Sequence, residues 1–273
     1  MMEHPSITII TPVYKKRDTI LDTVRSVCCQ TYPSIQYIIV DDGPDSVDDS
    51  IIDYIHSLND KVDVKILRND ENRGTSYSLN RAVKESYGEY IFNIADDDCF
   101  SSKDVISDWV SEFIRTGAEV MTAKRAVYDE TMTEMECVEP SESVIEKIRT
   151  LSNDELFNQM SGYNYIFGSV TAKKRSVFER PYGLYDERYR IIEDYSSNMR
   201  LLRNGVRFVF FDYIVLNYRR GGISFAGHVD DVYMKESDEL FRNEILPYVS
   251  CKIVSRYRYR KWKRSVIRHQ RGK

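Results

Sequence analysis

Tyr90-Ile91-Phe92-Asn93-Ile94-Ala95-Asp96-Asp97-Asp98 passes from a β-prone apolar run straight into three consecutive carboxylates. Ionised carboxylates gathered at the end of a buried strand repel one another and lose hydration, so a cation is expected beside them. A hard divalent ion suits oxygen ligands, because Mg²⁺ or Mn²⁺ takes one or two carboxylates and completes its shell with phosphate oxygens. The alternative is a solvated acidic turn, and the flanking sequence bears on that choice.

Upstream, strands and helices alternate. Ser6 to Thr11 is a β-branched run before Pro12, and reads as a first buried strand. Asp18 to Thr31 places Ile20, Leu21, Val24, Val27 and Cys28 at helical spacing. Tyr37-Ile38-Ile39-Val40 is a second strand, and it too ends in carboxylates, Asp41-Asp42, before Gly43. Asp48 to Leu58 is a helix, Val62 to Leu67 a third strand, Asn69 to Gly74 a polar loop, and Thr75 to Tyr87 a helix stopped by Gly88. Such alternation predicts a doubly wound, mostly parallel α/β sheet. Ligands of such sheets bind at the carboxyl ends of the strands, which is where the acidic residues and the polar loop fall.

The second half is less regular and reads as mixed α+β. Helices are expected over Trp109–Arg115, Ser141–Met160 (with breaks), Arg190–Arg203 and Asp230–Asn243. Strands are expected within Glu119–Tyr128 and Gly162–Ala172, with two short ones over Val206–Phe211 and Ile214–Tyr218. Tyr218 to Ser224 is a glycine-containing basic loop.

The chain has 273 residues, 42% of them apolar, enough for a substantial core. No run is long and apolar enough to span a membrane, and the first residues lack a signal peptide's basic and apolar regions. The five cysteines, at 28, 29, 99, 137 and 251, form no CxxC pair; they read as reduced thiols of a cytoplasmic protein. A lone His228 is a poor metal-ligand candidate. The net charge of −4 conceals a split: residues 251–273 hold ten Lys and Arg and no acid, leaving −14 on the rest. That tail interleaves its cations with Tyr259, Trp262 and Val266 at helical spacing. It is expected either to lie as a basic amphipathic helix on an anionic membrane surface or to be a solvated tail. No nucleic-acid recognition motif accompanies it.

Thr11-Pro12-Val13-Tyr14, Val40-Asp41-Asp42-Gly43, Asn72-Arg73-Gly74 with Asn80, Asp96-Asp97-Asp98 and Glu193-Asp194 stand in the order seen in family 2 glycosyltransferases, which this chain resembles over roughly residues 6–225. The resemblance implies a GT-A fold and an inverting enzyme using a nucleoside diphosphate sugar, most often a UDP-sugar. It implies a nucleotide-sugar-binding half over 6–100, an acceptor-side half over 101–225, and a C-terminal helical extension with the basic tail over 226–273. Thr11, Pro12 and Tyr14 would line the nucleotide pocket, Asp42 would accept a hydrogen bond from the base, and Arg73 would lie near base or phosphate. Asp98, with Asp96 or Asp97, would hold Mn²⁺ or Mg²⁺ on the diphosphate, and Asp97 would face the nucleotide sugar. Arg219 and Arg220 either face the diphosphate or are surface charges. Asp194, with Glu193 beside it, would be the general base; the other reading of Asp194 is a carboxylate favoured by a helix N-terminus. The commoner acidic motif has an Asp where Ala95 stands, so the triplet here is shifted by one residue.

The chemistry agrees with these residue types. A metal-stabilised diphosphate leaves without a protein acid, and one carboxylate suffices to deprotonate the attacking hydroxyl. The acceptor is expected to be a glycan or a lipid-linked glycan of cell-envelope or surface polysaccharide synthesis, met in the cytoplasm or at the inner membrane face. A dinucleotide-dependent dehydrogenase or a nucleotidyltransferase would need a glycine-rich loop after the first strand, and none is present. A catalytically silent nucleotide- or glycan-binding scaffold of the same fold is the alternative.

Overall fold

Runs of Ile and Val form the centre of the molecule. The structure, a computed structural model, describes residues 4–15, 18–43, 46–221 and 231–271, with side chains as far as Ile267. Gly222, Ile223 and Ser224 of the expected basic loop, and His228, lie outside the described residues. Strands Ile7–Val13 (β1) and Ile35–Asp41 (β2) bury almost every side chain. They pair in parallel, Ile9 opposite Tyr37 and Val13 opposite Asp41. Asp63–Arg68 (β3) flanks β2 and Tyr90–Asn93 (β4) flanks β1, again in parallel. All four therefore bring their carboxyl ends to one edge.

Crossover helices Ile20–Cys28 (α1), Ser50–Leu58 (α2) and Thr75–Glu85 (α3) link them. Strand alternation divides the packing. Ile9, Ile39 and Phe92 meet Val24 of α1, Ile55 of α2 and Trp109 of Val105–Thr116 (α4). Ile10, Ile38 and Ile91 face the other way, onto Leu79 and Val83 of α3. This is the strand–helix alternation expected of the first hundred residues.

Beyond β4 the sheet becomes mixed. Its order is β3-β2-β1-β4-β8-β6-β9-β5, where β5 is Cys99–Phe100, β6 Val120–Tyr128, β8 Thr171–Lys174 and β9 Phe208–Arg219; Met135–Glu139 (β7) pairs with β6. β8 runs antiparallel to β4 and β6, and β9 runs parallel to β6. Two short strands were expected over 206–218; one strand is found. Thr122 opposes Phe210 but Lys124 opposes Ile214, so the register slips across Phe211–Tyr213. The Lys124–Asp212 ion pair, 2.6 Å, sits at that bulge. Helices Glu142–Thr150 (α5) and Asn153–Met160 (α6) divide at Ser152, whose side chain and that of Glu155 form a capping box. Arg175–Phe178 (α7) is a single turn, and Glu193–Arg203 (α8) carries the Glu193-Asp194 pair in its first turn.

Asp231–Leu240 (α9) continues into a π-helical turn over Phe241–Ile245, and the basic tail is helical over Lys252–Arg271 (α10). Its expected membrane-facing stripe has a different task. Tyr259 is buried with its ring stacked 4.1 Å from that of Phe241, and Trp262 packs toward Tyr233. The outer face instead carries Ile253, Val254 and Tyr257, 79%, 44% and 66% exposed. No helix among the described residues is long and apolar enough to cross a membrane.

Gly88 enters β4 where its N–H bonds the Thr8 hydroxyl at 2.9 Å. A Cβ there would stand 2.3 Å from the Thr8 backbone nitrogen, whereas one at Gly117, with φ +65°, would meet nothing. Gly88→Ala is expected to destabilise by about 1–3 kcal/mol through overpacking, and Gly117→Ala by about 1 kcal/mol through its left-handed backbone alone. Urea denaturation of both variants measures the difference.

Candidate active site

Asp98 is fully buried. Its Oδ1 accepts the Arg219 backbone N–H at 2.9 Å, and its Oδ2 is buried without a hydrogen-bond partner among the described residues. Burial, and then the neighbouring charge of Asp97, push the carboxyl well above the usual carboxylate range. The turn that holds it is tied from two sides. The Thr23 hydroxyl of α1 donates to the Asp98 carbonyl at 2.7 Å. The Arg219 side chain, at the end of β9, donates to the Asp97 carbonyl at 3.0 Å and pairs with Asp22 at 3.1 Å. A buried carboxylate oxygen with no donor, in a cluster of like charges, is a place for a cation. Among the described residues no group of three or more His, Cys, Asp and Glu could hold an ion by itself. That donor set fits Mg²⁺ or Mn²⁺, which binds through one or two carboxylates with substrate phosphates completing the shell.

Asp96, Asp97 and Asp98 line one wall of a cleft of about 390 Å³, and Glu193 and Asp194 line another. Asp194 is held by three donors: Asn164 Nδ2 (2.9 Å) and the Gly168 N–H (3.1 Å) on Oδ2, and the Tyr195 N–H (2.5 Å) on Oδ1. Only glycine fits at 168, since a Cβ would lie 2.9 Å from that of Asp194. Burial raises the Asp194 carboxyl; the Gly168 and Tyr195 N–H groups and the charges of Arg125 and Lys173 pull it back. Among the described residues Glu193 has no such donors from other residues. Burial and the charge of Asp194 push it up to about 8. Both carboxyls are thus raised above the usual range, and the donors that favour an anion are concentrated on Asp194.

Between the walls lies Arg125 of β6. Its guanidinium is sandwiched 3.7 Å from the Phe167 ring and 4.0 Å from the Tyr218 ring and pairs with Glu139 at 2.7 Å. Its charge favours the ionised forms of both Asp98 and Asp194.

Of the residues singled out from the sequence, Pro12, Tyr14, Asp42, Asp96, Asp97, Asp98, Glu193 and Asp194 line the cleft. Thr11, Arg73, Arg219 and Arg220 do not. Thr11 is buried in the sheet against the Tyr37 hydroxyl, 3.1 Å away. Arg73 is half exposed, with Tyr77 under its guanidinium and Glu71 at 3.7 Å. Arg219 is turned onto the acidic turn, and Arg220 pairs with Glu136 at 2.5 Å. Asp42 is committed to the chain: its two oxygens accept Asn69 Nδ2 and the N–H groups of Arg73 and Gly74, each at 2.8 Å. Asn80 likewise bonds both the N–H and the carbonyl of Tyr185. Arg125, Asn164, Gly168, Lys173, Tyr185 and Asn198 also line the cleft and were not anticipated. They come from segments without a local motif, and Lys173 stands in a Lys-Lys-Arg run that reads as surface charge.

Asp42→Ala would remove an acceptor from three donors of the 69–74 loop, of which Asn69 Nδ2 and the Gly74 N–H keep Ser78 Oγ and Asn72 Oδ1. It is expected to lower stability by about 2–4 kcal/mol, with Asp42→Asn recovering part of the loss, both read by urea denaturation.

Comparison with known proteins agrees with this geometry. The model of "Glycosyl transferase family 2" matches residues 8–180. Glycosyltransferase GlyG of Streptococcus pneumoniae is 24% identical over 248 residues, 88% of this chain and 79% of GlyG. The putative teichuronic acid biosynthesis glycosyltransferase TuaG of Bacillus subtilis is 34% identical over 94 residues, and that match spans only about a third of either protein (34% of this chain, 36% of TuaG). Among solved structures, TarS 1-349 of S. aureus in complex with UDP-GlcNAc superposes with a TM-score of 0.69 at 16% identity, over 94% of this chain and 71% of that one. Mannosyltransferase PcManGT of Pyrobaculum calidifontis, in complex with GDP-Man and Mn²⁺, gives 0.64 at 15% identity, over 99% and 74%. At such identities the structural likeness is one of fold. The chain belongs to glycosyl transferase family 2 and is a glycosyltransferase of GT-A fold.

Proposed function

We propose that this enzyme moves a sugar from a UDP-sugar to a hydroxyl of a glycan or lipid-linked glycan in envelope or surface polysaccharide synthesis, by a single inverting displacement. The observation that carries the reading is the pairing, across one cleft, of an acidic wall with an unpaired buried oxygen and a separate carboxylate held by three hydrogen-bond donors. UDP is favoured by the TarS complex with UDP-GlcNAc, and the product class by relatives named for teichuronic and colanic acid biosynthesis.

In this reading residues 6–100 hold the nucleotide and 101–225 the acceptor. Pro12 and Tyr14 line the nucleotide pocket, and Asp42 shapes its loop while facing the base. Asp98, with Asp96, holds Mn²⁺ or Mg²⁺, and Asp97 faces the nucleotide sugar. When bound, the ion stabilises the charge that develops on the departing diphosphate. Arg219 acts from behind, fixing the acidic turn through its backbone N–H and guanidinium. Thr11 keeps β1 and β2 in register, and Arg73 and Arg220 are assigned no contact. Asp194 takes the proton from the acceptor hydroxyl as that oxygen attacks the anomeric carbon opposite the diphosphate. Glu193, pushed up to about 8 by burial and the charge of Asp194, is the carboxyl beside it that keeps a proton near neutrality.

Asp194→Asn is expected to lower kcat about 10²–10⁴-fold while leaving UDP affinity within about twofold. Steady-state kinetics with a UDP-sugar panel, and binding on the same variant, measure both. Full activity in Asp194→Asn would remove the base from the reading. Proton NMR of the first-formed product is expected to give the anomer opposite to that of the donor; retention would exclude single displacement.

The reading extends to the cytoplasmic face of an anionic membrane. The inner side of α10 is consumed by Tyr259 and Trp262. On its outer side Ile253, Val254 and Tyr257 stand with exposed Lys252, Arg256, Arg260, Lys261 and Arg264. An apolar tip ringed by cations is the pattern of interfacial binding, with about 1 kcal/mol per cation near an anionic surface. Co-sedimentation with anionic vesicles is expected to fall at least tenfold in Ile253→Asp/Tyr257→Asp and at high salt. Equal binding by that variant would discard the membrane.

A further inference from the structure

Lys173 is a buried cation that the reaction just described does not use. It lies on β8, opposite Ile91 of β4, and is 4% exposed in the wall of the cleft. Among the described residues no carboxylate bonds it. Its ammonium donates to Ser197 Oγ at 2.8 Å and to the Tyr185 hydroxyl at 3.4 Å, and lies 4.4 Å from the centroid of the Tyr185 ring. Tyr185 in turn receives Asn93 Nδ2 at 2.8 Å. Ser197 stands three residues after Asp194 on α8, and so on the same side of that helix. Lys173 therefore joins the strand leading to the acidic triplet with the helix carrying Asp194. Burying a lysine without an ion pair is costly, and a methionine would fill similar space without that cost.

We infer that Lys173 is a positioning residue for Asp194: its ammonium, anchored on Ser197 and Tyr185 behind the cleft, supplies charge through a low-dielectric wall and favours the ionised carboxylate. The inference rests on the reading of Asp194 as the base. The groups in play come from every side. Lys173 faces Tyr185 and, on α8, Arg200, Asp194 and Glu193. Asp194 faces Arg125 of β6 and Lys173, with Tyr233 of α9 also near; Glu193 faces Asp194, Lys173 and Glu236 of α9. Burial and Arg200 pull Lys173 down to about 7, and the two carboxylates oppose that fall. The lysine is thus charged at acidic pH. A nearby cation lowers a carboxyl pKa, so removing it raises that of Asp194.

The test is a carbon-13 carboxyl NMR titration of the full chain, with the Asp194→Asn spectrum identifying the resonance, on wild type, Lys173→Met and Ser197→Ala. The Asp194 midpoint is expected to rise by about one pH unit in Lys173→Met, and less in Ser197→Ala, which keeps the lysine and removes its shortest anchor. The acid limb of kcat/KM is expected to move by the same amount, about tenfold at pH values below the limb, with the high-pH plateau retained. An unchanged midpoint in Lys173→Met overturns the inference; if that variant does not fold, an unchanged midpoint in Ser197→Ala does so. A loss of rate equal at every pH marks a purely structural lysine and also overturns it. The NMR arm needs no substrate. A shifted midpoint in a protein that transfers no sugar would fault the proposed function, whereas an unshifted midpoint in an active enzyme would fault only the role of Lys173.

Discussion

The buried Asp98 carboxylate is the constraint around which the cleft is arranged. One of its oxygens rests on the Arg219 N–H and the other on nothing among the described residues. Two more carboxylates precede it in the chain. Left alone, such a group in a dry environment keeps its proton. Two neighbouring features work against that outcome. Arg125 contributes a cation held by aromatic rings on both faces, and Arg219 fixes the turn by backbone and side chain together. The turn is thereby locked in a geometry that has unmet demand for positive charge. In the function proposed, a divalent ion bound with the diphosphate would meet that demand.

The second wall solves a different electrostatic problem. Glu193 and Asp194 are adjacent and both half-buried in the cleft wall, so each raises the cost of ionising the other. Among the described residues, three hydrogen-bond donors are spent on Asp194 and none from another residue on the side chain of Glu193. The donors come from distant parts of the chain, Asn164 and Gly168 before β8 and Tyr195 on α8, so the setting of Asp194 depends on how the second half folds back on the sheet. In the displacement proposed, the departing group would lie at the acidic wall and the attacking hydroxyl at Asp194, on opposite sides of the sugar.

Legibility followed the reach of each interaction. The first half was readable because strand and helix periodicity are local, and a parallel sheet forces the ends of β1, β2 and β4 to one edge. Asp42, Asp98 and Asp194 could be singled out from short motifs in order. Position relative to the cleft was less accessible. Arg73 and Arg220 look like anion binders in sequence, yet their guanidiniums pair with Glu71 and Glu136. Thr11 belongs to a strand face that meets Tyr37. Arg125 and Lys173 were missed because each enters the site through cross-strand pairing, which leaves no periodic trace. The single strand β9 was divided in two because its bulge reads as a turn. The tail was left open between a helix and a solvated segment; it is helical, and its apolar stripe is the seat of α10 on α9, leaving Ile253 and Tyr257 outside.

The central claim is that the acidic wall is a cation-dependent site for a nucleoside diphosphate, and calorimetry of UDP binding addresses it most directly. UDP is titrated into wild type with Mn²⁺ and with EDTA, and into Asp98→Ala with Mn²⁺, with GDP and dTDP as comparators. The account predicts binding of UDP that requires the ion and is lost in Asp98→Ala. Binding indifferent to both the ion and Asp98, or no binding of any nucleotide with Mn²⁺ present, would contradict it.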